Sequence, residues 1–180
     1  MSDFTVIYDA NVLYPAPLRD LLLRLAVQDI FRARWTDRIH DEWIRNLLVN
    51  RPDLSPDRLN RTRQKMNENV RDCLIVDYEH LIPGLELPDS DDRHVLAAAI
   101  KVNAAVIVTY NLADFPGNLL APFGIEAQHP DDFLVFQFDL NKAALVRAVR
   151  QQRAALQNPP RSAHETRNPC PWGSGINAGF

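Results

Sequence analysis

The chain has 180 residues, of which 46% are hydrophobic and 24% charged, and its formal net charge is −3. This balance is typical of a globular protein with a sizeable core, and any nucleic-acid partner must be held by local basic surfaces or through a metal ion. No apolar run approaches the roughly 20 residues that a membrane-spanning helix needs, and the first residues lack the pattern of a secretory signal. The two cysteines, Cys73 and Cys170, have no metal-binding spacing, so we expect a cytoplasmic protein without a membrane partner.

Strand-like and helix-like segments alternate along the chain. Near-continuous apolar stretches predict strands that are buried on both faces, and apolar residues at helical spacing predict amphipathic helices. The predicted elements are, in order, a strand at 4–8, a helix at 17–28, a strand at 31–35, a helix that begins after Thr36, a helix at 56–71, a strand at 73–76, a helix at 92–100, a strand at 104–109, an edge strand at 125–127, and helices at 130–138 and 139–157. This order predicts an α/β fold in three layers (α/β/α), with a parallel β-sheet sandwiched by helices.

The last part of the chain differs in composition from the rest. Residues 158–180 contain three of the six glycines and four of the thirteen prolines, without hydrophobic periodicity. Such a segment buries too little apolar surface to offset the entropy of folding. We therefore predict one compact domain at 1–157, followed by a disordered tail at 158–180.

Four acidic residues stand at favourable positions in the predicted fold. Asp9 ends the first strand, Glu42 lies in an early helix, Asp92 opens a later helix and Asp114 follows the strand at 104–109. In open parallel sheets, ligands bind at the carboxyl ends of the strands. Carboxylates brought together there would repel one another, and Mg²⁺ or Mn²⁺, which prefers oxygen ligands, would relieve that repulsion. Such an ion activates water for attack on a phosphodiester.

Each of these acids also has a structural explanation. Asp9 and Asp92 stand where a carboxylate caps a following helix, Glu42 could be a solvated helix residue, and Asp114 could form a turn. The sequence pattern therefore leaves open whether the four side chains meet.

Short motifs surround all four acids, in a fixed order over residues 4–115. They are Asp9-x-Asn11-Val12-Leu13, then Asp41-Glu42-Trp43-Ile44-Arg45, then Asp92-Arg93-His94-Val95-Leu96-Ala97-Ala98-Ala99, and last Thr109-x-Asn111-x-x-Asp114-Phe115. In these motifs and their spacing the chain resembles the PIN-domain family, metal-dependent ribonucleases that include the VapC-like toxins of toxin–antitoxin pairs.

The resemblance implies a set of metal ligands. Asp9, Glu42 and Asp92 would bind the metal ion and carry the catalysis. Many relatives have an aspartate two residues after the threonine of the last motif, and this chain has Asn111 there. Asp114 would then supply the fourth charge, with Asn111 as a neutral ligand or hydrogen-bond partner.

Further residues would support the site or bind the substrate. The resemblance implies that Thr109 and Asn11 position the carboxylates, and that Asp91 substitutes for Asp92 or binds an outer water. Arg45 and Arg93 are candidates for contact with RNA phosphates, although both also fit surface or structural roles.

The leading hypothesis from the resemblance is an Mg²⁺- or Mn²⁺-dependent endoribonuclease that acts as the toxin of a toxin–antitoxin pair. Its partners would be an RNA substrate and an antitoxin protein whose extended segment lies across the acidic groove. Homodimerisation is a further expectation from the family.

Other functions remain open at this point. A PIN-like module that binds RNA or protein without cutting is one, because Asn111 replaces the usual acid. A haloacid-dehalogenase-type phosphatase is disfavoured because the second aspartate it needs is Asn11 here, and a receiver domain because the paired early acids are missing. The chain has no glycine-rich motif for a dinucleotide or a P-loop phosphate.

Overall fold

The structure is a computed structural model that describes residues 4–155. Its strands within this range are β1 (Thr5–Tyr8), β2 (Arg32–Arg34), β3 (Val106–Val108) and β4 (Glu126–Gln128). They form one parallel sheet in the order β2-β1-β3-β4. β1 is therefore internal, with Val6 paired to Ala33 on one side and to Val106 on the other.

Helices connect and flank these strands. The α-helices of the described range are α1 (Ala10–Leu13), α2 (Ala16–Ala26), α3 (Asp37–Asn50), α4 (Pro56–Asn69), α5 (Arg93–Lys101), α6 (Gly117–Leu120) and α7 (Pro130–Ala155). Short 3₁₀ turns occupy Glu79–Gly84, Ser90–Asp92 and Ala121–Phe123. The predicted fold class is confirmed, because a parallel sheet flanked by helices is the three-layer α/β/α arrangement of PIN-like domains.

The sequence explains why the elements near the site form where they do. All four residues of β1 are buried, as expected for a central strand covered on both faces. The hydroxyl of Thr36 accepts a hydrogen bond from the backbone N–H of Ile39 at 3.1 Å and so caps α3. Three consecutive buried alanines, Ala97 to Ala99, let α5 lie close to β1 and β3. The first turn of α5 and the middle of α3 lie near the carboxyl end of β1.

The predicted strand at 73–76 is wrong. Leu74 makes only an isolated parallel bridge to Trp35, with one backbone hydrogen bond on each side of it. The segment is extended, with Cys73 and Ile75 buried and Val76 59% exposed. The burial of these residues alternates as in an edge strand, but the chain leaves the sheet edge after one paired residue instead of continuing beside β2.

Two other local predictions need adjustment. Between the strand predicted at 4–8 and the helix predicted at 17–28 lies an additional four-residue helix, α1, which Asp9 caps. The two helices predicted at 130–138 and 139–157 are the two halves of α7, separated by a kink at Asn141, whose φ and ψ angles of −142° and 56° are not helical. The predicted domain end at 157 and the predicted tail at 158–180 lie outside the described residues and stay predictions.

Candidate active site

Asp9 lies at the carboxyl end of β1 and is only 3% exposed. Its Oδ1 accepts a hydrogen bond from the backbone N–H of Ala10 at 2.7 Å, and its Oδ2 accepts one from the Thr109 hydroxyl at 2.7 Å. Each carboxylate oxygen has a second lone pair, so the fixed carboxylate can still accept a further interaction. Asp9 can therefore cap α1 and also bind a ligand, because the capping hydrogen bond leaves other lone pairs of its carboxylate free.

A small polar network around the Thr109 hydroxyl holds Asp9 in place. The hydroxyl oxygen accepts hydrogen bonds from the Asn11 side-chain amide at 2.9 Å and from the backbone N–H of Asn111 at 3.0 Å. Because both lone pairs are used in this way, its single proton is left for Asp9. Asn11 also accepts a bond from the backbone N–H of Tyr110 at 3.1 Å. Thr109 and Asn11 therefore make the contacts expected of residues that position a carboxylate.

Neighbouring acids act electrostatically on Asp9 and Asp92. Burial, with added repulsion from Glu42 and Asp114, raises the pKa of Asp9 to about 6, despite its hydrogen bonds from Thr109 and Ala10. Burial and repulsion from Asp9 and the other nearby carboxylates raise the pKa of Asp92 to about 7. The charges of Glu42 and Asp114 therefore act on both Asp9 and Asp92, so negative charge is concentrated in this region of the fold.

Several of these residues line an open groove at the surface. Nine residues surround it, namely Arg38, Asp41, Glu42, Arg45, Asp89, Asp91, Asp92, His94 and Asn111. Asp114 is half-buried and affects Asp9 and Asp92 through its charge, whereas Asn111 is exposed at the groove itself. The groove is mostly acidic, and two arginines lie at its edge.

The acidic residues at the groove are possible ligands of a divalent metal ion. Within residues 4–155, no group of three or more His, Cys, Asp or Glu side chains is close enough to hold a metal ion. Mg²⁺ does not need such a cage, because it keeps several waters and binds through one or two carboxylates together with substrate phosphate. Oxygen donors with raised pKa values also match this cation, since its charge would relieve their repulsion. The donor set fits an open, hydrated magnesium or manganese site.

Two comparisons with known families extend the geometric argument. A family model described as "PIN domain" matches residues 5–113, more than half of the chain. The chain belongs to the PIN-domain family. The match contains Asp9, Glu42, Asp92 and Thr109 and ends one residue before Asp114. A second family model, described as "VapC50 C-terminal domain", matches residues 130–167, which begin with α7 and extend beyond the described range. The VapC-like resemblance inferred from the motifs is thereby confirmed.

A curated relative supports the same affiliation. A protein of Mycobacterium tuberculosis named "Putative ribonuclease VapC50" is 48% identical to this PIN-domain chain over 73 residues. The match covers 41% of this chain and 43% of the relative, so it spans less than half of the relative's length. No solved structure gives a significant match.

The remaining candidates divide into those at the groove and those beside it. Arg45 lines the groove, as a substrate-binding residue should. Arg93 instead donates a hydrogen bond from Nε to the backbone carbonyl of Ser90 at 2.9 Å. Asp91 is exposed at the groove edge, and its backbone N–H is hydrogen bonded to the Asp89 carboxylate at 2.8 Å. Neither contact involves the carboxylate of Asp91.

Two groove residues, Arg38 and His94, were not among the candidates indicated by the sequence. Arg38 is seven residues before Arg45, so the two arginines share a face of α3 with Glu42 between them. That spacing was visible in the sequence. His94 is buried two residues after Asp92 and reaches Glu42, a contact between distant segments that no local pattern reveals.

Between residues 4 and 155, no helix combines the length and the apolar character needed to cross a bilayer.

Proposed function

We propose that this PIN-domain protein is an Mg²⁺- or Mn²⁺-dependent endoribonuclease and the toxin of a toxin–antitoxin pair. The observation that carries the proposal is the grouping of acidic side chains around Asp9 and Asp92, in which the charges of Glu42 and Asp114 raise the pKa values of both. Clustered acids cost folding free energy unless a cation neutralises them. Membership of the PIN-domain family and the ribonuclease name of the M. tuberculosis relative support the assignment of that cation site to RNA cleavage.

In the proposed reaction, the acidic residues and Thr109 would have different roles. One or two of the carboxylates of Asp9, Glu42, Asp92 and Asp114 would hold the cation, together with waters and substrate phosphate. The cation would supply a more acidic water and charge stabilisation for the phosphodiester under attack. Thr109 keeps the Asp9 carboxylate oriented through its 2.7 Å hydrogen bond. Because Asp9 and Asp92 have raised pKa values, either carboxylate can exchange a proton near neutral pH in the metal-free protein.

Binding of the RNA backbone is proposed for the arginines at the groove edge. Arg38 and Arg45 are exposed and line the same groove as Glu42 and Asp92. Neither arginine makes a hydrogen bond or an ion pair within residues 4–155, so both are available for phosphate contacts. Seven residues of helix separate them by about 10 Å, which lets them contact different phosphates of one strand.

The role as a toxin rests on the VapC-like affiliation. It is supported by the match of residues 130–167 to the VapC50 C-terminal domain and by the name of the curated relative. An antitoxin would fit an acidic groove by inserting an arginine or lysine among the carboxylates, because charge-assisted hydrogen bonds of this kind are strong. A cytoplasmic location and a homodimer remain parts of the same proposal.

The deciding experiment combines RNA cleavage with calorimetric titration of Mn²⁺. We expect wild type to bind Mn²⁺ and to cleave a panel of structured RNAs only when the metal ion is present. Asp9→Asn should abolish both while circular dichroism reports an intact fold. Asp139→Asn changes an exposed carboxyl on α7, outside the groove, and should leave both unchanged. A folded, metal-loaded Asp9→Asn protein with full activity would contradict the assignment of the site.

A module that binds RNA without cutting is the second candidate. The observation in its favour is Asn111, a neutral residue on the groove where many relatives have an acid. This alternative would be supported if wild type, saturated with Mn²⁺, bound RNA and left it intact.

A further inference from the structure

We infer that His94 is a positioning residue that holds the Glu42 carboxylate in the groove through the contact between its Nε2 and Oε2 of Glu42. The inference rests on the proposed function, since it assumes that Glu42 binds the metal ion. It assigns a role to a residue that was not among the candidates indicated by the sequence.

The first observation is the contact itself. His94 is 2% exposed at the start of α5, and its Nε2 lies 3.4 Å from Oε2 of Glu42 on α3. A nitrogen and an oxygen at this distance attract each other if the nitrogen carries a proton, and a modest shift of the glutamate side chain would give normal hydrogen-bond length. The contact joins two helices that are distant in sequence and that each contribute a groove residue.

The second observation is the other nitrogen of the ring. Nδ1 of His94 is buried and has no hydrogen-bond partner within the described part of the chain. A buried N–H without an acceptor loses its hydrogen bonds to water without replacement, whereas a buried lone pair without a donor is tolerated more easily. The unsatisfied nitrogen is therefore the one without a proton.

The two observations select one tautomer. With the proton on Nε2, the ring donates to Glu42, and Nδ1 keeps only an unpaired lone pair. With the proton on Nδ1, the buried N–H has no acceptor and the Nε2 lone pair faces a carboxylate oxygen, so both contacts are unfavourable. Of the two tautomers, the one with the proton on Nε2 is the one that the contacts of His94 favour.

Glu42 depends on this contact for its orientation. Its side chain is 30% exposed at the groove, and within residues 4–155 its carboxylate has no hydrogen bond and no ion pair besides the contact with His94. A glutamate has three side-chain torsions, and fixing them has an entropic cost that one well-placed donor can offset. Because His94 follows Asp92 by two residues, the same contact also fixes the separation of two proposed metal ligands. Partners of this kind change metal affinity or activity by about 10–100-fold when they are removed.

The test uses two substitutions at His94 and the full chain. His94→Gln keeps a side-chain N–H near the position of Nε2, and His94→Leu removes the donor while filling the space. We expect His94→Leu to lower Mn²⁺ affinity and RNA cleavage by about 10–100-fold. His94→Gln should recover most of both. In a Glu42→Gln background, His94→Leu should have no further effect on Mn²⁺ binding, because the group that it orients is no longer a carboxylate.

A spectroscopic readout keeps the inference testable if a variant does not fold. Long-range ¹H–¹⁵N correlation spectra of the metal-free wild type should show His94 as the neutral Nε2–H tautomer. A ring whose only proton is on Nδ1 would contradict the inference, because its Nε2 could not donate to Glu42. So would a folded His94→Leu protein with the Mn²⁺ affinity and cleavage rate of wild type.

The outcome also separates this inference from the proposed function. If wild type neither binds Mn²⁺ nor cleaves RNA, the proposed function fails, and with it the positioning role of His94. If wild type does both and His94→Leu equals it, the positioning role alone fails.

Discussion

The Thr109 hydroxyl donates a buried 2.7 Å hydrogen bond to Oδ2 of Asp9, across 100 residues of sequence. This bond lowers the pKa of Asp9, although burial and neighbouring carboxylates raise it by more. Since the same hydroxyl accepts bonds from Asn11 and Asn111, one oxygen atom ties β1, α1 and the segment after β3 together. The orientation of the central acid therefore depends on a residue that carries no charge.

Thr109→Val should lower the Mn²⁺ affinity of the site more strongly than it lowers the stability of the fold. It removes the donor to Asp9 and the acceptor for Asn11 and Asn111, so we expect a loss of about 1–3 kcal/mol in unfolding free energy. Mn²⁺ affinity should fall by about 10–100-fold. Thr109→Ser keeps the hydroxyl and should retain both properties. Urea unfolding and calorimetry measure the two effects, and equal Mn²⁺ affinities for the valine and serine proteins would contradict the role of the hydroxyl.

The raised pKa of Asp92 predicts a pH-dependent stability in the metal-free protein. Its carboxyl takes up its proton more readily when folded, so its effect is neutral below pH 4 and increasingly unfavourable as pH rises through about 7. After allowance for its partial exposure to solvent, Asp92→Asn should stabilise the chelator-treated protein at pH 8 by on the order of 1 kcal/mol. That corresponds to about 2–4 °C in Tm.

The matched control for this stabilisation is Asp139→Asn, which changes an exposed carboxyl away from the groove. It should leave the melting temperature unchanged. At pH 4 the Asp92→Asn protein should lose its advantage over wild type. A stabilisation that is the same at pH 4 and pH 8 would mean that charge repulsion is not its cause.

The identity of the fourth ligand can be decided by substitution. If Asp114 supplies the fourth charge, Asp114→Asn should lower cleavage by about 10-fold or more, while Asn111→Ala has a smaller effect. If Asn111 is the ligand, the order of the two effects should reverse. Cleavage rates at saturating Mn²⁺ give the comparison. Asn111→Asp restores the residue of many relatives and should raise Mn²⁺ affinity if that position faces the metal ion.

The proposed phosphate contacts of Arg38 and Arg45 predict a change in salt dependence. On the inactive Asp9→Asn background, removing both arginines should weaken RNA binding and reduce the slope of log K against log salt by about 1–2. Arg58→Ala alters an exposed arginine on α4, outside the groove, and should leave the slope unchanged. Fluorescence anisotropy at several salt concentrations measures it. An unchanged slope in the double variant would place the RNA elsewhere.

His40 predicts a loss of stability on the acid side. Its buried Nδ1 accepts a hydrogen bond from Trp43 Nε1 at 3.0 Å, and its Nε2 lies 3.0 Å from Oδ1 of Asn67, which also accepts from Trp35 Nε1 at 2.8 Å. This chain of bonds requires a neutral ring, and burial, the largest cause, lowers the pKa of His40 to about 4. Because the unfolded state then binds more protons between pH 6.5 and 4, stability should fall by roughly 3 kcal/mol over that range.

The comparison of wild type with His40→Asn isolates this contribution. Asparagine can still accept a hydrogen bond from Trp43 but does not titrate. The variant should therefore have a lower free energy of unfolding than wild type at pH 7.5, and that free energy should fall less between pH 7.5 and pH 4.5. Urea unfolding at both pH values measures the difference. Parallel pH profiles for the two proteins would contradict the role assigned to the ring.

Much of the fold was predictable because local patterns and tertiary environment agree. The apolar run that becomes β1 is buried on both faces, and the cap at Thr36 forms with its expected hydrogen bond. The strand predicted at 73–76 failed because its alternating burial resembles that of an edge strand, while pairing depends on where the neighbouring edge lies. The kink at Asn141 was anticipated only as a break between helices.

The candidate site was predictable to a smaller extent. The position of Asp9 at the end of a strand indicated a site there, because parallel strands deliver their carboxyl ends to one edge. The pattern left open whether Asp92, at the start of a helix, would lie nearby. The contact between His94 and Glu42 was not foreseen. It joins residues that lie 52 positions apart, and burial of a histidine in an apolar helix has no signature in the local sequence.

The central position of β1 in the sheet has a consequence for folding on the ribosome. β1 is the first strand to be synthesised, and it pairs with β3 roughly a hundred residues later, as in the register of Tyr8 with Val108. Long-range parallel pairing forms late, because closing the intervening loop costs entropy before the contacts repay it. A nascent chain that ends before Val106 carries Asp9 and Glu42 but lacks β3, one of the two strands that pair with β1. The complete candidate site can therefore form only once most of the domain has been synthesised.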